Sequence, residues 1–184
     1  SEFLQGFQLM REELDFNNEI LVLQSVPLIK EVIRQLNFNV SYYVKKDYIP
    51  KEIYFVIQEV YTGSPYLVVP DLNHPQPVGV RFFIQILNDE EFYINIEEKE
   101  VDIYDFRSEK VLYTANNLKI SNVHRFGEDI KGENYSFKVL LKSNYSDQYS
   151  SEDLYFAFNN IAALANSYRD ALLVEPVNTE VSVV

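Results

Sequence analysis

The sequence predicts an α+β fold in which N-terminal helices pack on a largely antiparallel sheet, followed by a late helix and a C-terminal strand. Three observations predict this class. Apolar residues recur at helical spacing over 17–37, β-branched and aromatic residues fill the middle of the chain, and a helical pattern returns after residue 160. Because these blocks follow one another instead of alternating, a parallel βαβ arrangement is not expected.

The N-terminal part is predicted to form a pair of helices over 17–37. Asn17 offers an N-cap, and Glu19 places a negative charge near the positive end of the helix dipole. Pro27 restarts the helix, since N–H groups in a first turn have no partner inside the helix. An apolar face follows at helical spacing, formed by Leu28, Ile29, Val32, Ile33 and Leu36.

The middle of the chain is predicted to form strands, because it is rich in residues that favour a pleated, half-buried surface. The predicted strands are 40–44, 52–57, 66–69, 80–87, 92–96, 118–123, 136–141 and 154–158, with a hairpin connection at 88–91 and turns at 63–65 and 70–77. Asn159 and Asn160 are predicted to cap a helix, and Val174–Val184 is predicted as the closing strand. That late helix carries Ile161, Leu164, Ala165 and Tyr168 on one side.

Composition restricts the classes of function. The 184 residues include 16 Lys and Arg against 28 Asp and Glu, a net charge of −12, which argues against binding to nucleic acid or anionic lipid. The chain has no cysteine, which excludes disulfides, thiolate nucleophiles and cysteine-ligated metal sites. The sequence has neither a signal peptide nor an apolar run of about 20 residues. Its length fits one domain over 1–184, and because its end falls within an apparent strand it is interpreted as a soluble piece of a longer protein.

A phosphate-loop motif is suggested by one spacing only. Gly127 and Gly132 have the separation of Walker A glycines, but Glu133 and Asn134 follow where the motif needs Lys and Ser or Thr. Without those residues the phosphates lack their cation and Mg²⁺ lacks its hydroxyl ligand. The segment is therefore predicted to be a hairpin turn, and the chain is expected neither to bind nor to hydrolyse ATP.

Other candidate chemistry also favours a structural interpretation. His74 and His124 are isolated, and the carboxylate runs 89–91 and 97–100 are interpreted as solvated surface, although an acid–base pair assembled by the fold stays open. The 14 tyrosines, including Tyr42 and Tyr43, could form a platform for sugar rings, but strand packing is favoured. No catalytic, cofactor-binding or metal-binding residue is assigned, no cofactor is expected, and the residues that bind partners are unknown.

Several segments together resemble one family. Residues 18–43 (NEILVLQSVPLIKEVIRQLNFNVSYY) are similar to an N-terminal segment of Wzz-type chain-length determinants, above all those fused to bacterial tyrosine autokinases of capsule and exopolysaccharide export. Ser64-Pro65, 79–95 and 124–139 resemble the family's next strands and a hairpin, and 156–168 with 172–178 resemble its helix and following strand. The likeness runs over most of 17–184, although 97–118 and 143–153 match little.

The resemblance implies a non-catalytic domain on the periplasmic face of the bacterial inner membrane, in a polysaccharide co-polymerase that regulates polymer length or couples synthesis to export. The implied partners are further copies of the full-length protein, a polysaccharide polymerase or outer-membrane export protein, and the glycan polymer; nucleic acid is not one. Any kinase activity would belong to a cytoplasmic domain absent from this chain. The alternative is a stand-alone glycan-binding module or a glycan-active enzyme that uses a carboxylate pair.

Overall fold

A computed structural model describes residues 14–48, 54–143 and 153–174. Strands make up 50% of the structure and helices 24%. The predicted α+β class, with N-terminal helices packed on a sheet, is therefore wrong, and the chain is mostly β. The predicted C-terminal strand Val174–Val184 lies outside the described residues except for Val174.

The described residues form three helices and ten strands. Helix α1 covers 14–23, α2 is Val26–Gln35 and α3 is Ile161–Ala171. The strands are β1 (Val40–Tyr48), β2 (Tyr54–Glu59), β3 (Tyr66–Pro70), β4 (Gln76–Val78), β5 (Phe82–Ile86), β6 (Glu91–Asp105), β7 (Lys110–Arg125), β8 (Asp129–Gly132), β9 (Tyr135–Leu141) and β10 (Asp153–Phe158).

The strands form a seven-stranded and a three-stranded sheet. In the larger sheet β2, β1 and β10 are neighbours, and β4 and β5 lie end to end between β10 and β6, because each pairs with both. β7 pairs with the other edge of β6. The sheet is mixed, since Phe158 forms a parallel bridge with Val78 while the other pairings are antiparallel. The smaller sheet has the order β3-β9-β8.

Aromatic side chains fill the space between the two sheets. Phe82 and Phe156 stack with ring centroids 4.7 Å apart, and Phe137 from the smaller sheet meets Phe82 edge to face at 5.7 Å. Phe158 completes the cluster, 5.5 Å from Phe137. All four rings are buried. Such stacked and edge-to-face pairs stabilise a core beyond the area they bury, and here they fix the inner face of the larger sheet.

The chain divides into two compact units. Asn37–Ile161 contains the strands, and the described residues before and after it contain the helices. The helices and the strands thus fall in different units. Compact units of this kind need not fold separately, so one domain over 1–184 stays a prediction.

The helices confirm the predicted pair but not its details. α1 already includes residue 14, so Asn17 lies inside the helix and is not its N-cap. The break before α2 is confirmed, with Pro27 in its first turn. Of the predicted apolar face, Ile33 is buried, whereas Val32 is 45% and Leu36 55% exposed. No helix among the described residues is long and apolar enough to cross a membrane.

The predicted strands are confirmed in position, but most of them are shorter than the strands in the structure. β6 and β7 run for 15 and 16 residues, through the segment 97–117 that had no predicted structure. β4 lies in a segment predicted as a turn, and β8 follows Gly127, where only a turn was predicted. Strand pairing with the neighbours stabilises these polar or short segments despite their weak alternation.

Candidate functional site: an aromatic row on the large sheet

The outer face of the seven-stranded sheet is built by alternation along its strands. Successive side chains of a strand point to opposite faces. Tyr42 of β1 is 8% exposed and packs edge to face on Tyr66 of the smaller sheet, with ring centroids 5.6 Å apart. Its neighbour Tyr43 therefore lies on the opposite face, where it is half-buried. Although Tyr42 and Tyr43 are adjacent in the sequence, their side chains thus lie on opposite faces of the sheet.

Four aromatic side chains from adjacent strands share this outer face, and we call them the aromatic row: Tyr43 of β1, Tyr155 of β10, Phe83 of β5 and Tyr93 of β6. Tyr43 is opposite Tyr155, and Tyr155 is opposite Phe83. The ring centroids of Tyr155 and Phe83 are 5.6 Å apart, and those of Phe83 and Tyr93 are 6.4 Å apart. All four side chains are half-buried. At a strand spacing of about 4.8 Å, the row covers about 14 Å.

Charged side chains border one end of the aromatic row. The guanidinium carbon of Arg81 lies 4.9 Å from the centroid of the Tyr43 ring, a cation–π geometry. The Lys45 ammonium lies 3.2 Å from the Asp153 carboxylate on the paired strand. Glu59 of β2 is opposite Tyr43. The end at Tyr43 therefore combines aromatic faces with ionic groups of both signs.

Two hydroxyl groups of the aromatic row have defined environments. Partial burial, together with the negative charge of Asp153, raises the pKa of Tyr155, while Lys45 and Arg81 act in the opposite direction. The Tyr155 hydroxyl is thus protonated at neutral pH and can donate a hydrogen bond. The Tyr93 hydroxyl forms a hydrogen bond of 2.9 Å with the Ser121 hydroxyl on β7, which holds the Tyr93 ring in place.

This arrangement suits a ligand with an apolar face and a polar rim. A half-exposed aromatic ring offers a flat apolar surface, and tyrosine adds a hydroxyl at its edge. A pyranose ring matches both, since its C–H groups form a flat patch bordered by hydroxyls. Rings on adjacent strands repeat that surface along one direction, as a linear glycan requires.

The glycine pair singled out by its spacing lies in a turn, as predicted for Gly127, and at the end of a strand that was not predicted. Gly127 has φ +83°, a left-handed conformation that favours glycine, and its N–H donates to Val139 O at 2.8 Å. Gly132 ends β8, opposite Tyr135 of β9. Between them Ile130 is buried, so the segment is a turn followed by a core strand.

The histidines and the turn that carries the first carboxylate run have local hydrogen-bond or ionic partners. His74 Nδ1 is 2.8 Å from Pro75 O, and His124 Nδ1 is 3.6 Å from a Glu128 carboxylate oxygen. The Asn88 side chain accepts hydrogen bonds from the N–H groups of Glu90 and Glu91 in the β5–β6 turn. Over 14–48, 54–143 and 153–174, no three histidine or acidic side chains are grouped as metal ligands would be.

Sequence reasoning missed the aromatic row as a unit. It favoured strand packing for the tyrosines, which is right for Tyr42. The signal in the sequence was the alternation of side chains between the two faces of each strand. Each of the four aromatic residues adjoins a core residue on its own strand: Tyr43, Phe83, Tyr93 and Tyr155. This alternation places each ring on the outer face, but only the pairing of the strands brings the four rings side by side.

Comparison with known proteins adds no relative. No family model, no curated protein and no solved structure matches this chain. The likeness to Wzz-type proteins therefore depends on the sequence segments quoted above.

Proposed function

We propose that this chain is a non-catalytic glycan-contacting domain of a polysaccharide co-polymerase, on the periplasmic face of the bacterial inner membrane. In that role it regulates polymer length or couples synthesis to export, in a parent protein that assembles from several copies. The aromatic row is the observation that carries the proposal, because it provides a repeated stacking surface for a linear polymer. The sequence resemblance supplies the cellular setting.

The carboxylates near the aromatic row support a binding role rather than hydrolysis. Asp153 is held by Lys45 at 3.2 Å, and Glu97 by Lys119 at 3.1 Å. Each of these carboxylates is therefore engaged with a lysine, whereas a glycosidase places two carboxyl groups on either side of the bond it cleaves. We therefore assign Asp153 to the charged border of a binding surface.

The proposal predicts weak glycan binding that depends on ring surface. Titrating the chain with oligosaccharides should shift the aromatic NMR resonances of Tyr155 and Phe83 at millimolar ligand. Tyr155→Ala should abolish these shifts at Phe83, because it removes the ring between Tyr43 and Phe83. Tyr155→Phe keeps the ring and should keep the binding.

A control variant distinguishes the effect of removing a ring of the aromatic row from the effect of removing any exposed tyrosine. Tyr113 is 47% exposed on β7, outside the aromatic row, and its hydroxyl donates to Asn134 Oδ1 at 2.6 Å. Tyr113→Ala should bind like the unaltered chain. If Tyr155→Ala and Tyr113→Ala both bind normally, the aromatic row is not the glycan surface.

The stand-alone glycan-binding module is favoured by the same observation, since it too needs the aromatic row. The two alternatives differ in the cell. A co-polymerase domain predicts an altered polymer length when the row is changed, whereas a separate binding module predicts unchanged length with reduced attachment to glycan.

A further inference from the structure

We propose that the glycan received by the aromatic row carries carboxylate groups, and that Arg81 binds them; this inference rests on the proposed function. Uronic acids and pyruvate ketals are sugars of this class. The inference assigns a specificity-determining residue to a surface whose stacking alone accepts many sugars.

Arg81 is held in a position to bind an anion. Its guanidinium carbon lies 4.9 Å from the Tyr43 ring centroid, its side chain is exposed, and no salt bridge to it occurs among the described residues. Contact with an aromatic face leaves the N–H groups at the guanidinium edge free to donate. That planar edge matches the two oxygens of a carboxylate.

Arg81 is also close to the rings of the row. It directly precedes β5, whose first residue Phe82 is opposite Phe156 of β10. Phe83 and Tyr155, the next pair in this register, lie on the outer face. A sugar stacked on Tyr155 therefore has substituents within reach of the Arg81 side chain.

Nearby charges make the selection depend on geometry rather than on a general positive field. Lys45 pairs with Asp153 at 3.2 Å, and Glu59, opposite Tyr43 on the neighbouring strand, adds a negative charge at this end of the row. The net charge of −12 on the chain even opposes an anion at long range. At 0.15 M salt the Debye length is about 8 Å, so a carboxylate bound directly by Arg81 is little affected by distant acids.

The test compares acidic glycans with their neutral counterparts. A panel of oligouronates of different linkages, each paired with its carboxyl-reduced form, is titrated against the full chain at 0.15 M salt, with the Tyr155 and Phe83 ring resonances as readout. We expect an oligouronate to bind up to about fivefold more tightly than its reduced form, as for an exposed charge pair. Arg81→Gln should remove this preference.

Lys138→Gln is the matched control. It removes one positive charge from the smaller sheet, where Lys138 pairs with Asp129 at 3.3 Å. This variant should keep the preference. Two outcomes would contradict the role of Arg81 without contradicting the glycan surface. One is equal binding of the acidic and reduced forms by the unaltered chain, and the other is a preference that persists in Arg81→Gln. Ring resonances that respond to neither form overturn the proposed function itself.

Discussion

At the scale of single residues, Gln76 joins the two sheets. Its side chain is fully buried, its Nε2 donates to Ser136 O at 2.6 Å, and its Oε1 accepts from Ser136 N–H at 3.2 Å. Nε2 also lies 3.2 Å from both Asp71 O and His74 O. The side-chain amide thus pairs with the backbone of β9 as a neighbouring strand would.

Replacing this amide should be costly. Gln76→Leu keeps a similar volume but leaves the Ser136 N–H without its acceptor, whereas Ser136 O still accepts from the Asp71 N–H at 2.9 Å. A buried unsatisfied group costs about 1–3 kcal/mol, and we expect the free energy of unfolding to fall by about 2 kcal/mol in chemical denaturation. Gln85→Leu, at an exposed position of β5, should change it by less than about 0.5 kcal/mol. Equal losses in both variants would contradict the role of Gln76.

Two buried tyrosines make stability sensitive to alkaline pH. Burial raises the pKa of Tyr42 to about 12, although the Val68 N–H, which donates to its hydroxyl at 2.9 Å, acts in the opposite direction. Burial, with Tyr42 nearby, also raises the pKa of Tyr66 well above its ordinary value. In the unfolded chain both phenols would lose their protons near pH 10.

Because the folded pKa is the higher one, the stabilising effect of neutral Tyr42 is complete below about pH 10 and is lost as pH rises towards 12. Tyr42 should account for a loss of about 3 kcal/mol over this interval, at about 1.4 kcal/mol per pKa unit. Tyr42→Phe should be less stable at pH 8, since Val68 N–H loses its acceptor, but should lose less between pH 10 and 12. Parallel pH profiles from urea unfolding of the two chains would contradict this account.

At the scale of elements, the β6–β7 hairpin shows which features of the fold the sequence could and could not predict. The strand 92–96 was predictable because apolar and polar residues alternate there. The continuation was not, since Glu97–Glu100 and Asn116–Asn117 interrupt the alternation. Partners supplied by the other strand stabilise it, such as Lys119 for Glu97 and Thr114 for Asp102. Cross-strand pairs of this kind are set by register, which no local pattern reveals.

Asn117 provides a test of this hairpin. Its φ is +57°, and it lies where the pairing passes from Glu98–Leu118 to Glu100–Asn116. A β-branched residue at this φ is strained by about 1–3 kcal/mol, whereas glycine is not. Asn117→Val should therefore lower the free energy of unfolding by about that amount, and Asn117→Gly should not. Asn116→Val, at the exposed neighbouring position, is the control; a cost as large as that of Asn117→Val would show that φ is not the cause.

At the scale of the whole molecule, the strand-rich middle and the late helix were predictable, but the arrangement was not. Periodicity identifies an apolar face without identifying what it packs against, so the helices were wrongly placed on a sheet. The aromatic row could not be predicted for the same reason. Its rings come from residues 43, 83, 93 and 155, which become neighbours only through the order of the strands. The alternation of side chains along each strand was visible in the sequence, whereas the identity of its neighbouring strands was not.

Net charge leads to a prediction for assembly. Each copy carries −12, so contacts between copies are opposed at low salt, where the Debye length reaches about 30 Å at 0.01 M. Association must also overcome about 4–15 kcal/mol of lost translational and rotational freedom. The isolated chain should therefore sediment as a monomer or weak oligomer, and added salt should shift it towards oligomer. A tight closed oligomer at micromolar protein and low salt would show that this chain alone carries the assembly contacts.

The central claim, that the aromatic row handles a polysaccharide, is tested most directly by the polymer that cells make. The full-length gene, carrying Tyr155→Ala, Tyr113→Ala or no change, is expressed in its own host, with protein levels matched, and the length distribution of the surface polysaccharide is measured by gel electrophoresis. We predict a shifted distribution for Tyr155→Ala and an unchanged one for Tyr113→Ala. A Tyr155→Ala distribution identical to that of the unaltered protein would contradict the claim.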